Sequence, residues 1–71
     1  MEDFAKTSML FDIYGGLLTD KKKRVMEMYH EDDMSLSEIA EELEVSRAAV
    51  YDSLRSAESL LHSYEEKLGI L

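Results

Sequence analysis

The segment from Ser35 to Arg55 decides the fold, and it reads SLSEIAEELEVSRAAVYDSLR. It contains two helix starts. Ser35 precedes Leu36-Ser37-Glu38, so the Ser35 hydroxyl and the Glu38 carboxylate fit a capping box. Ser46 can cap a second helix in the same way. Two short helices joined by a tight turn define the helix-turn-helix motif, and we predict this motif over about residues 36–55.

Apolar spacing inside the segment supports the motif. Ala40 is small, which lets the second helix approach closely. Glu44 lies in the turn, where a glycine is often found because the turn can require a positive φ. A hydrophobic staple is predicted before each helix, from Met34 to Ile39 and from Val45 to Val50. The side chains predicted to meet between the two helices are Ile39, Leu43, Val45, Val50 and Leu54.

Outside this segment, the sequence also predicts helices. Proline is absent, there are three glycines, and no stretch alternates with period two, so an all-α fold is predicted. We expect Gly15-Gly16 to end the first helix in the left-handed conformation and Thr19 to cap the second. The predicted helices are Asp3–Tyr14, Asp20–Glu31, Leu36–Leu43 and a long C-terminal helix that runs from the Ser46 cap to about Leu68.

The long last helix carries a heptad seam, with apolar residues separated by alternating steps of four and three. Its second half needs the first helix, or another subunit, against it. With 71 residues and no cysteine, the chain is predicted to be one domain over residues 1–71, with a small core and no disulfide to assist it. We therefore predict a homodimer through Ala57, Leu61, Tyr64 and Leu68.

The face of the last helix opposite the predicted core carries side chains of the types that bind nucleic acid. Arginine can contact base edges or phosphates, and tyrosine can stack or contact a methyl group. A basic cluster in the second helix could hold the phosphate backbone. The alternative is that both are ordinary solvated surfaces. The candidate nucleic-acid-binding residues are Ser46, Arg47, Ala48, Tyr51, Asp52 and Arg55, with Lys21, Lys22, Lys23 and Arg24 in the cluster.

The charge balance opposes binding to a polyanion. The formal net charge is −8, and the span from Asp20 to Ser56 holds six basic and ten acidic residues, a net of −4. Long-range repulsion of this sign weakens duplex binding. Either the basic groups are sharply segregated, or the partner is a protein.

Catalytic and metal-binding patterns are missing from the sequence. His30 and His62 have no metal-ligand spacing and are predicted to be lone surface residues. Acids at Glu27 and 31–33 lack the spacing and glycine of a calcium loop, and Gly15-Gly16 precedes no phosphate-loop sequence. We predict no enzymatic activity, cofactor, metal or small-molecule substrate. With no signal peptide and no apolar run long enough for a bilayer, a soluble cytoplasmic protein is expected.

Several stretches together resemble the bacterial YlxM family, and the helix-turn-helix core is also similar to region four of primary sigma factors. The stretches are Leu18-Thr19-Asp20-Lys21, Met28-Tyr29, residues 35–42, Val45-Ser46-Arg47-x-Ala49-Val50-Tyr51-Asp52 and residues 64–68. The resemblance implies a small regulatory protein of the signal recognition particle pathway. It would act as a DNA-binding regulator or on the particle's RNA, or else as a protein-interaction module that modulates the particle's GTPase without binding DNA.

Overall fold

A computed structural model describes residues 4–71 and contains four α-helices in that range. The predicted start of the first helix at Asp3 lies outside the described residues. The all-α fold and its helix-turn-helix motif are confirmed. The helices are α1 (Phe4–Tyr14), α2 (Asp20–Met26, extended by a π-helical turn over Glu27–Glu31), α3 (Leu36–Leu43) and α4 (Arg47–Leu68).

Helix α4 forms the centre of the fold, and α1, α2 and α3 all pack against it. One stripe of α4 is removed from water along most of its length, which is the expected result of its heptad spacing. Burial of these side chains is the main favourable contribution to folding. The stripe consists of Val50, Leu54, Ala57 and Leu61, each at most 1% exposed.

This packing corrects part of the predicted dimer interface. Ala57 and Leu61 are both 0% exposed within a single chain, because they belong to one core cluster with Leu10, Phe11 and Tyr14 of α1. These two side chains are therefore not available to another subunit. Tyr64 is partly buried against the core, with its ring centroid 6.0 Å from that of Tyr14. Of the four residues, only Leu68 is largely exposed, at 58%.

The predicted caps on α2, α3 and α4 are present. Thr19 Oγ1 accepts a hydrogen bond from the Lys22 amide at 3.3 Å, and Ser46 Oγ accepts one from the Ala49 amide at 3.0 Å. Ser35 forms the complete capping box: its Oγ accepts from the Glu38 amide at 3.1 Å, and its own amide donates to Glu38 Oε1 at 2.8 Å. These bonds satisfy amides that have no partner within the helix, so they fix where each helix begins.

The end of α1 differs from the prediction. Gly15 and Gly16 do not adopt the left-handed conformation; instead the chain continues as a 3₁₀ turn over Gly15–Leu17. Glycine is required at position 15 for a different reason. A Cβ atom there would lie 2.9 Å from two ring carbons of Phe11, so the backbone can approach the ring only without a side chain.

The turn between α3 and α4 uses a left-handed residue that is not glycine. Glu44 has φ 58° and ψ 44°, in agreement with the positive φ considered for this turn. A side chain in this conformation costs roughly 1–2 kcal/mol. We expect Glu44→Gly to raise the free energy of unfolding by about 0.5–1 kcal/mol, measured by urea denaturation. A loss of stability in Glu44→Gly would contradict the assigned backbone conformation, and Glu42→Gly within α3 should destabilise the fold.

A cluster of hydrogen bonds ties the end of the chain to α1. The Tyr14 hydroxyl donates to Glu65 Oε1 at 2.7 Å and accepts from the Ile70 amide at 3.3 Å, while Glu65 Oε1 also accepts from the Leu71 amide at 3.1 Å. The bond from Tyr14 lowers the pKa of Glu65, and burial raises the pKa of Tyr14. We call these four residues the Tyr14 clasp.

The Tyr14 clasp predicts a measurable titration. Because the folded pKa of Glu65 lies below its ordinary value, 4.5, the associated stability is present above pH 4.5 and is lost as pH falls through the folded pKa. We expect Tyr14→Phe to return the Glu65 pKa toward 4.5 and to speed amide exchange at Ile70 and Leu71. NMR titration of the carboxyl groups measures the pKa of Glu65, and an unchanged Glu65 pKa in Tyr14→Phe would contradict the clasp.

Candidate nucleic-acid interface

The first two turns of α4 present the face that the sequence predicts. Ser46, Arg47, Ala48, Asp52 and Arg55 are all exposed, and so is Tyr51, which is 41% exposed. On the opposite side of the same turns, Val50 and Leu54 are buried in the core. A helix that is anchored on one face and polar on the other can approach a partner without disturbing its own packing.

Within this face, Tyr51 and Arg55 form a preorganised pair. Arg55 Nη1 donates to the Tyr51 hydroxyl at 3.1 Å, and the guanidinium carbon lies 5.7 Å from the centroid of the Tyr51 ring. The hydrogen bond raises the pKa of Arg55, a group that is charged at neutral pH in any case. The pair is spaced by one helical turn, and such pairs restrict both side chains at low cost.

The local charge of this face differs from that of the whole chain. From Arg47 to Arg55 there are two arginines and one aspartate, a net of +1 against −8 overall. Acids are concentrated on α3 and its turn, where Glu38, Glu41, Glu42 and Glu44 are all exposed. The basic groups are therefore partly segregated onto α4, with acids on the helix before it.

The basic cluster lies on α2, a different helix from the recognition face. Lys21, Lys23 and Arg24 are exposed and Lys22 is partly buried. The buried side of α2, Val25 and Met26, anchors the cluster, since α2 packs against α4. Of the predicted site residues, Tyr51 and Arg55 contact each other directly. The basic cluster lies on a neighbouring helix and faces solvent.

The two histidines are not lone surface residues, which corrects that prediction. The His30 side chain is 1% exposed and its Nε2 lies 3.7 Å from Glu58 Oε2, while its Nδ1 is 2.8 Å from Ser8 Oγ. Phe4 stacks on its ring at 4.4 Å. Burial lowers the pKa of His30. His30 is thus a core polar residue joining α1, the π-helical turn and α4. His62 is partly buried.

A polar depression beside α4 was not predicted from the sequence. It has a volume of about 710 Å³ and continues the exposed face of α4 toward the C-terminus. The polar residues on α4 recur every three or four positions, a signal that was available in the sequence. The position of α1, which brings Lys6 to the depression, could not be predicted from the sequence. The residues that line the depression are Lys6, Arg55, Glu58, Ser59, His62, Ser63 and Glu66.

Among residues 4–71, no three His, Asp or Glu side chains are grouped so that they could hold a metal ion. The same part of the chain has no helix that is both long and apolar enough to span a bilayer. The exposed sides of α2 and α4 offer guanidinium, ammonium and aromatic groups, which is chemistry suited to binding a macromolecule.

Comparison with known proteins agrees with this geometry. A family model described as "Putative helix-turn-helix protein, YlxM / p13 like" matches residues 1–71. The protein YlxM of Bacillus subtilis is 52% identical over 71 residues, which is 100% of this chain and 64% of that protein. A relative from Caldanaerobacter subterraneus is 51% identical over 70 residues, covering 99% of this chain and 60% of the relative.

The chain therefore spans about three fifths of the length of the curated relatives that it matches. The match runs through all four helices, including the capped helix-turn-helix and the long α4. This chain belongs to the YlxM family of helix-turn-helix proteins.

Proposed function

We propose that this protein is a non-enzymatic, cytoplasmic regulatory protein that binds nucleic acid through the first two turns of α4. The observation that carries the proposal is the two-sided character of these turns: Arg47, Tyr51 and Arg55 face solvent while Val50 and Leu54 are buried. In helix-turn-helix proteins the second helix lies in the major groove and its N-terminal residues contact base edges.

Phosphate contacts are assigned to Lys21, Lys22, Lys23 and Arg24. Lys21 and Lys22 lie in the first turn of α2, where cations oppose the helix dipole, so these two lysines do not stabilise the start of the helix. Contacts of this kind set position and supply affinity without reading sequence. Asp52 in the recognition face can accept a hydrogen bond from a cytosine amino group, which gives an acidic residue a role in a face that approaches DNA.

A second candidate is a protein-interaction module that modulates the signal recognition particle GTPase. The observation that favours it is the exposed acidic surface of α3, Glu38, Glu41, Glu42 and Glu44, which would repel phosphate but attract a basic protein surface. The resemblance to the family supplies this partner, and the particle's RNA is a further nucleic-acid candidate.

One titration series separates these functions. The purified protein is titrated against genomic duplex fragments, the particle RNA and the GTPase at several salt concentrations. Nucleic-acid binding predicts an affinity that falls steeply with salt and requires Arg47. Binding to the GTPase that survives Arg47→Ala and neutralisation of the basic cluster would instead favour the second candidate. If neither nucleic acid binds at low salt, the proposed function is wrong.

We also propose that the protein acts as a homodimer, with contacts shifted to the end of the molecule that holds the Tyr14 clasp. Exposed apolar side chains at this end include Ile13, Leu17 and Leu68. From Phe4 to Leu17 the charges of Lys6 and Asp12 cancel, so this segment adds little to the repulsion between two copies of an acidic chain.

For this dimer we expect Leu68→Glu to give a monomer without loss of helix content, because Leu68 is exposed and lies at the end of α4. Sedimentation velocity measures the association, and Lys67→Glu is the matched control on the same turn. A wild-type chain that sediments as a monomer at every concentration would contradict the dimer.

A further inference from the structure

A shallow depression lies within the proposed recognition face, between α3 and α4. Its volume is about 390 Å³, and it is lined by Leu36, Arg47, Ala48 and Tyr51. Leu36 is the first residue of α3, and Arg47 is the first residue of α4. The Ser35 and Ser46 caps hold the two helix starts, and the packing of α3 against α4 fixes the two sides of the depression relative to each other.

The lining of this depression is apolar except for one cation. Leu36 is partly buried against the core, Ala48 contributes a methyl group, and Tyr51 contributes its ring. The Tyr51 hydroxyl is already engaged, since it accepts a hydrogen bond from Arg55 at 3.1 Å. The side chains of Leu36, Ala48 and Tyr51 therefore suit an apolar ligand group, and the Arg47 guanidinium suits a hydrogen-bond acceptor next to it.

In duplex DNA, one base has such a group in the major groove. Thymine alone presents a methyl group there, and alanine is among the side chains that contact it, whereas arginine pairs with the O6 and N7 acceptors of guanine. RNA lacks this methyl group because it carries uracil, and its major groove is too deep and narrow for side chains to read.

We propose that the depression formed by Leu36, Ala48 and Tyr51 receives the 5-methyl group of a thymine adjacent to a guanine that Arg47 contacts. This inference rests on the proposed function and specifies its ligand as duplex DNA. It also assigns Ala48 and Arg47 to sequence readout, separately from the backbone contacts of the α2 cluster. Removing one buried methyl group should weaken binding about fourfold.

The test uses deoxyuridine, which differs from thymidine only by that methyl group. A random duplex library is selected with the wild-type protein. Each thymidine of the selected site is then replaced singly by deoxyuridine, and affinity is measured by fluorescence anisotropy. We expect one replacement, next to a guanine, to weaken wild-type binding about fourfold. Ala48→Ser should bind the thymidine and deoxyuridine duplexes alike, while the control Ser56→Ala, an exposed residue of the same helix, should behave as wild type.

If no thymidine replacement changes the affinity of the wild-type protein, this inference is wrong and the proposed function stands. The same holds if the replacement weakens binding by Ala48→Ser as much as it weakens binding by wild type. Selection of a site without thymine beside guanine also overturns the inference. If only RNA is bound, this inference fails while the proposed nucleic-acid binding stands. If neither duplex nor RNA is bound and only a protein partner is captured, the proposed function and this inference both fail.

Discussion

Leu61→Glu is expected to unfold the chain. Leu61 is 0% exposed and belongs to the same core cluster as Leu10 and Phe11 of α1. Truncating a buried leucine costs about 2–5 kcal/mol, and a carboxylate at the same position adds a buried charge without a partner. Their sum approaches the whole stability of a small domain, about 5 kcal/mol. Circular dichroism and urea denaturation should show loss of the cooperative transition.

The control for this prediction is Leu68→Glu, which makes the same change on the same helix at an exposed position. It should keep the helix content and a cooperative unfolding transition. Its midpoint is compared with that of wild type diluted to the monomer, since dissociation of a dimer lowers the apparent stability. The comparison also decides between two roles for the heptad seam. If Leu61→Glu stays folded and only dissociates an assembly, Leu61 belongs to a subunit interface and the packing of α1 over Leu61 is wrong.

Neutralising the basic cluster by changing Lys21, Lys22, Lys23 and Arg24 to glutamine is expected to abolish nucleic-acid binding at moderate salt. Each phosphate contact contributes about 0.9 to the slope of log affinity against log salt, so four contacts correspond to an affinity loss on the order of a thousandfold at 0.1 M salt. Lys21 and Lys22 oppose the dipole in the first turn of α2, whereas Lys23 and Arg24 lie in its last turn and favour it, so helix content by circular dichroism should stay near that of wild type. Anisotropy over a salt series measures both slope and affinity.

A matched pair of single substitutions separates local contact from total charge. Lys23→Gln and Lys67→Gln each remove one exposed lysine and change the net charge equally. Lys23→Gln should reduce the salt slope by about one, whereas Lys67→Gln should leave it nearly unchanged. Equal effects of the two variants would show that the cluster acts only through long-range charge.

The helix-turn-helix could be predicted from the sequence because its determinants are local. The Ser35 capping box and the Ser46 cap depend on residues three positions apart, and the inward positions of Ile39, Val50 and Leu54 follow from helical periodicity. The exposure of Arg47 and Tyr51 follows from the same periodicity. The special turn residue Glu44 was identified by its position alone.

Features that depend on contacts between distant segments were not predicted. Tyr14 and Glu65 are 51 positions apart, and His30 is buried by Phe4 and Ser8 from another helix. Nothing in the spacing of a single helix indicates such pairings. For the same reason, the heptad spacing of α4 cannot decide whether α1 or a second subunit covers Leu61, and only the placement of the helices does so.

The π-helical turn of Glu27–Glu31 has a consequence for chain length. The Asp32 amide reaches back five residues to the Glu27 carbonyl, at 3.0 Å, so this turn accommodates one residue more than an ordinary turn does. Deleting one residue here would leave a regular helix, yet it would rotate the chain beyond the deletion by about 100°. The extra residue of this turn thereby contributes to setting which side chains of the following segment face the core.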